Sequence, residues 1–209
     1  MAQLEVRHLV VGAVATNCYL AENTKTKEAL IVDPGDGAAH IKKLLKEDGM
    51  NPVAILLTHG HFDHAMAARE LADAFGIKIY AHEHEKETLE TPQINLSGML
   101  GHRDRYSADC YVKDHEILHL AGFEIEVLHT PGHTLGGVCY YFKEEGVVFS
   151  GDTLFCQSVG RTDFPTGSAS TLVRSIKEQL MPLPDETVVY PGHEQITKIG
   201  IERQYNPFL

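Results

Sequence analysis

The segment Thr58-His59-Gly60-His61-Phe62-Asp63-His64 crowds three imidazoles and a carboxylate into seven residues. The chemistry such a set supports is metal ligation, because imidazole nitrogen and carboxylate oxygen suit zinc, iron and manganese. His59 and His61 stand two positions apart, a spacing that splays side chains on a helix, so they share a target only on extended or looping backbone. Four ligands from one turn cannot enclose a single ion in tetrahedral geometry without strain, and further donors are expected from elsewhere.

Three candidates stand in turns: His133 in Thr130-Pro131-Gly132-His133-Thr134, Asp152 in Ser150-Gly151-Asp152-Thr153, and His193 in Tyr190-Pro191-Gly192-His193-Glu194. Each follows a strand-like segment, 123–127 with period-two alternation, 147–149 and 188–190, so the donors are expected at strand C-terminal ends. The histidine cluster has the same placement. Val53 to Leu57 reads as a buried strand, and Ala65 to Phe75 as a helix ending at Gly76. Asp63 then lies where a helix start favours negative charge.

At these residues the chain resembles the metallo-β-lactamase-fold hydrolases, and within them the glyoxalase II-like proteins. The resemblance runs over nearly the whole length, through THGHFDH at 58–64, TPGHTLGGVCYY at 130–141, SGDTLF at 150–155, VGRTDFP at 159–165 and YPGHE at 190–194. It implies one metal held by His59, His61 and His133, a second held by Asp63, His64 and His193, and Asp152 bridging both. It also matches Asp33 to an aspartate beside the site, where it would orient a ligand imidazole. The implied cofactor is two zinc ions, with iron or manganese accepted by the same ligand types. The implied fold is an α/β, αββα sandwich of two mixed sheets flanked by helices.

Composition fits one domain spanning 1–209: 43% hydrophobic and 22% charged residues are ordinary for a soluble globular chain with a real core. A formal net charge of −11 argues against nucleic acid or an anionic membrane as partner. No signal-peptide pattern or long apolar run stands out, so a cytoplasmic protein is expected. The four cysteines, Cys18, Cys110, Cys139 and Cys156, are scattered and read as reduced thiols.

Strands are expected at 4–11, 18–21, 29–32, 78–81, 116–120, 123–128, 138–142, 147–149 and 187–190. Helices are expected at 38–47, with Asp36 as N-cap, and near 170–180. Two sets of strands with helices between them suit two sheets packed face to face. The segment 91–113 carries Pro92, Gly98 and Gly101 with little periodicity, and reads as a long irregular lid. Its stretch 102–106 could bring cations to an anionic substrate. His82, His84, His115, His119 and His129 show no ligand spacing and are left outside the site.

Two ions close together would lower the pKa of a shared water toward about 7 and hold a hydroxide ready as nucleophile. Asp63 could accept a proton from it. A thioester suits a site without a dedicated general acid, because a thiolate leaves with little protonation. The resemblance sharpens this to small S-acyl thiols such as S-lactoylglutathione. Full-length glyoxalase II carries a further C-terminal helical domain that binds the glutathione part, whereas this chain is expected to lack it, ending at Asn206-Pro207-Phe208-Leu209. Arg161, in Gly160-Arg161-Thr162-Asp163, matches a basic family position that could hold a carboxylate, while Asp163 stands where an aromatic is usual. Relatives of this fold also include mononuclear iron persulfide dioxygenases and lactone, ester or β-lactam hydrolases. A metal-stiffened binding protein is disfavoured by the open coordination position that three histidines leave.

Overall fold

The computed structural model describes residues 3–209. Its order begins β1 (Leu4–Val11), β2 (Thr16–Asn23), β3 (Glu28–Val32), α1 (Ala38–Glu47), β4 (Asn51–Leu56), α2 (Phe62–Ala65), α3 (Ala68–Phe75), β5 (Lys78–His82), α4 (Lys86–Glu90) and β6 (Cys110–Val112). It continues with β7 (Ile117–Leu120), β8 (Phe123–His129), β9 (Val138–Phe142), β10 (Val147–Gly151), β11 (Leu154–Phe155), β12 (Ser158–Val159), α5 (Ala169–Ser175), β13 (Val188–Pro191), β14 (Thr197–Lys198) and α6 (Ile199–Tyr205). One six-stranded sheet runs β1-β2-β3-β4-β5-β6, the other β14-β13-β10-β9-β8-β7.

Alternation along the strands sorts side chains into three apolar layers, as the pleat requires. Leu30, Val32 and Leu56 of the first sheet meet Ile125, Tyr140 and Phe149 of the second in the interior. Ile31 and Ile55 turn outward under α1 and α3, where Ile41, Leu45 and Leu71 cover them. Cys139, Tyr141 and Val148 turn outward beneath Leu172 and Ile199. The expected αββα sandwich is the architecture found.

Strand direction places the site. β3, β4 and β5 run parallel, so their C-terminal ends share one edge. β8 and β10 both run antiparallel to β9, and β13 runs parallel to β10, so these three also end together. The turns carrying Asp33, His59, His133, Asp152 and His193 all follow those ends, where open α/β sheets place their sites.

Local corrections have physical causes. The helix expected over 65–75 is two pieces, broken at Met66 and Ala67, because the Asp33–Gly35 turn presses against it. A Cβ on Gly35 would sit 1.4 Å from the Asp63 carbonyl oxygen, and Ala67 N–H donates to the Pro34 carbonyl. Asp36 is not the N-cap of α1; Gly37 is, in left-handed conformation, and Asp36 accepts the Gly37 N–H at 2.6 Å instead. The 170–180 helix is α5 followed by a π turn over Ile176–Leu180. The 91–113 segment is not wholly irregular: it contains a 3-10 turn at Ser97–Leu100 and ends in β6, too short a strand to show a pattern. Among the described residues no helix is long and apolar enough to cross a membrane.

Candidate metal centre

All seven donors expected from the sequence converge at that edge. His61 Nδ1 lies 3.1 Å from His59 Nε2 and 3.0 Å from His133 Nε2. A tetrahedral ion with bonds of about 2.0–2.1 Å has donor–donor edges of roughly 3.3 Å, so this triangle is close to ligand spacing. Beside it, Asp63 Oδ2 lies 3.4 Å from His64 Nε2 and 3.3 Å from His193 Nε2. Asp152 stands between the two groups, with Oδ1 at 3.4 Å from His64 Nε2 and Oδ2 at 3.4 Å from His133 Nε2 and 3.6 Å from His193 Nε2.

The outward ring nitrogens of His133 and His64 are anchored, which turns their opposite nitrogens toward the cluster. His133 Nδ1–H donates to the Arg161 carbonyl at 2.7 Å, and His64 Nδ1–H donates to Asp33 Oδ2 at 3.0 Å. This outer shell fixes tautomer and ring orientation. Asp33 also accepts the Thr58 N–H at 2.8 Å and the Thr58 hydroxyl at 2.6 Å. Three bonds hold it at φ 50, a left-handed conformation that costs a non-glycine residue energy.

The donor set fits metal ions and not hydrogen bonding alone. His61 Nε2, His64 Nε2 and Asp152 Oδ1 are buried without a hydrogen-bond partner, a costly state for polar atoms. Two of these three, on His64 and Asp152, face each other across the donor cluster. Burial, aided by neighbouring imidazoles, pushes His59 and His61 well below the usual histidine range, so their lone pairs are free. Burial acts to lower His64 too, but Asp63, Asp152 and Asp33 outweigh it and raise it well above that range. The carboxylates thus draw positive charge to the point where the second donor group converges.

Several supporting residues gave no signal in the sequence. The Thr16 hydroxyl donates to Asp63 Oδ2 at 2.8 Å. The Asn17 amide donates to the carbonyls of Pro191 and Glu194, and Tyr19 Oη–H to Pro191, pinning the His193 turn from β2. Glycine keeps that turn tight: a Cβ on Gly192 would lie 2.2 Å from Asp152 Oδ1.

Glu85 is fully buried and makes no hydrogen bond of full geometry. Burial pushes its carboxyl up to about 7, tempered by the Thr134 and Thr88 hydroxyls and the Gly136 and Gly60 N–H groups. Gly60 and Gly136 lie on the His59–His61 and His133 loops, so Glu85 is wedged beneath both. Its folded pKa is raised, so its stability contribution is full below pH 4.5 and is lost as pH rises through 7. Glu85→Gln will abolish that dependence, and urea unfolding at pH 5 and 8 will show the variant gaining up to roughly 3 kcal/mol on wild type.

His82, His84 and His129, left outside the site on spacing, do come together in space. One ring nitrogen from each lies within 4.8 Å of the others, and His82 and His129 stack with centroids 4.1 Å apart at 14°. The 91–113 segment borders the centre through Leu96 and Met99, while His102 and Arg103 line a neighbouring hollow. Arg161 lies on the rim of the cleft, paired with Asp163.

Fold and site together define a metal-dependent hydrolase of the two-sheet sandwich class. The chain belongs to the Metallo-beta-lactamase superfamily, whose profile matches residues 11–193. It is 39% identical to hydroxyacylglutathione hydrolase GloC of Haemophilus influenzae, over 99% of this chain and 98% of that protein. The crystal structure of BLEG-1 B3 metallo-beta-lactamase superposes with a TM-score of 0.94 at 42% identity, covering 98% of this chain and 99% of that one. TTHA1623, crystallised in a di-iron-bound form, gives 0.86 at 35% identity, covering 97% and 100%.

Proposed function

We propose that the chain is a binuclear hydrolase of small S-acyl thiols, with S-lactoylglutathione as a test substrate. The observation that carries this is the convergence of seven donors with buried, unpartnered atoms among them. His59, His61 and His133 would hold one ion, Asp63, His64 and His193 the other, and Asp152 both. When bound, such ions lower the pKa of a water toward about 7 and polarise a carbonyl oxygen. Zinc is the metal proposed; iron and manganese satisfy the same donors, and the di-iron form is a property of TTHA1623.

The protein's own groups do the rest. Asp63, with Oδ2 tied by Thr16, serves first as a ligand and would take a proton from the attacking water only as a weak base. His64 and His193 outweigh burial and keep that carboxyl far below the usual range, so it is ionised before substrate arrives. Phe62, Phe155 and Phe164 line a cleft of about 520 Å³ and give it an apolar wall. Among the described lining residues the histidines and aspartates are the donors themselves, which favours a thiolate leaving group, of pKa about 8.5 when free, over an amine.

The formal net charge of −11 supports a small-molecule partner in place of nucleic acid or an anionic membrane, and a cytoplasmic setting is proposed with it. Hydrolysis of acyl thiols by metal-replete protein, followed by thiol release, is the expected result. The GloC likeness supports that choice. Turnover confined to lactones or β-lactams, or oxygen uptake with a persulfide by a one-iron protein, would overturn it.

A further inference from the structure

The cleft is walled by side chains that the donor set does not use: Val14, Leu96, Met99, Phe155, Val159 and Phe164. Among the described lining residues Arg161 is the one arginine or lysine, and Glu194 adds a carboxylate. Arg161 is not free. Its Nε–H donates to Asp163 Oδ1 at 2.8 Å and its Nη2–H to Oδ2 at 2.7 Å, a parallel pair of bonds. Its flat face lies 3.9 Å over the Phe164 ring. The side-on edge of the guanidinium, Nε–H with Nη2–H, is therefore filled and its charge balanced from two residues away in the same turn, with Nη1 left as a donor. The bond to Arg161 holds the Asp163 carboxyl down to about 2, so the pair stays ionised at neutral pH.

We infer that a carrier carboxylate gains little from Arg161, so that the site modestly favours acyl thiols whose thiol carrier is uncharged, because Asp163 already balances that guanidinium. The bond cleaved rests on the thioester reading above; the selectivity does not. A carrier carboxylate meets a guanidinium whose charge Asp163 already balances, from a tether at high effective concentration, and a further carboxylate, Glu194, in the same lining. A neutral carrier meets neither cost and packs on the apolar wall. Both members of the pair are exposed, so the pairing weakens carboxylate binding by a factor of about 2 to 5, not by orders of magnitude.

The test uses a ligand that cannot be hydrolysed. N-acetyl-S-hexylglutathione, a thioether with two carboxylates and no free amine, and its uncharged diethyl ester are titrated calorimetrically into wild type, Asp163→Asn and Arg161→Ala. Wild type should bind the ester at least as tightly as the diacid, and Arg161→Ala should leave the diacid Kd within about twofold. Asp163→Asn should shift the diacid-to-ester ratio about 2- to 5-fold toward the diacid. A wild-type preference for the diacid that Arg161→Ala removes overturns the inference. So does an unchanged ratio in Asp163→Asn, or failure of both ligands to bind at millimolar concentration. Because no bond is cleaved, failure of thioester turnover would refute the hydrolytic reading separately.

Discussion

Asp152→Ala will lose both metals and turnover together. Its carboxylate reaches both donor groups, Oδ2 facing His133 of one and His193 of the other, and Oδ1 facing His64 of the second. Among the described ion pairs Asp63 meets His64 and His193, both of the second group, and none of the first. Removing even a residue that merely orients a ligand lowers metal affinity or activity about 10- to 100-fold. Removing one shared by two ions should exceed about 100-fold in both. The check is metal content after dialysis alongside kcat/KM, with far-UV circular dichroism to show that the sandwich persists. A variant keeping two ions, or keeping turnover, contradicts the bridging assignment.

Asp33→Ala should be nearly as damaging by another route. The carboxylate is buried and satisfies three donors, the Thr58 N–H, the Thr58 hydroxyl and His64 Nδ1–H. A buried donor left unsatisfied costs about 1–3 kcal/mol, and the three are not additive, so about 3–5 kcal/mol of stability should be lost. Metal affinity should fall about 10- to 100-fold because His64 loses the bond that fixes its tautomer. Asp33→Asn separates the two effects. Its amide oxygen still serves Thr58, while its NH2 opposes His64 Nδ1–H, so stability should recover in part and metal affinity should not. Urea unfolding and metal titration on both variants decide; equal recovery of both quantities would reduce Asp33 to a purely structural role.

The donor residues were legible because ligation demands particular atoms in particular turns. Histidine and aspartate after apolar strands mark themselves in HGHFDH and in the two Pro-Gly-His turns. Strand periodicity likewise gave the sheets, down to matching limits at 138–142. What stayed hidden was whatever depends on contacts between distant segments. Thr16 and Asn17 serve the centre from β2 across more than forty residues of sequence to Asp63 and the His193 turn, and nothing in their neighbours announces it. Glu85 reads as one more charge in His82-Glu83-His84-Glu85, because burial is a property of the fold. The break between α2 and α3 comes from the Asp33–Gly35 turn pressing on Asp63, a clash no helix propensity encodes. His82 and His129 lie on different sheets, so linear spacing could neither gather them nor reveal that they stack. Arg161 was visible as a cation, but its pairing with Asp163 changes what that cation offers a substrate.

The central claim is that seven side chains form a centre for two ions. Elemental analysis of the full chain, purified without added metal and quantified by amino-acid analysis, tests it most directly. The account predicts two transition-metal ions per chain, falling below one in Asp152→Ala. One iron per chain, or a metal content that the Asp152 substitution leaves unchanged, would contradict it.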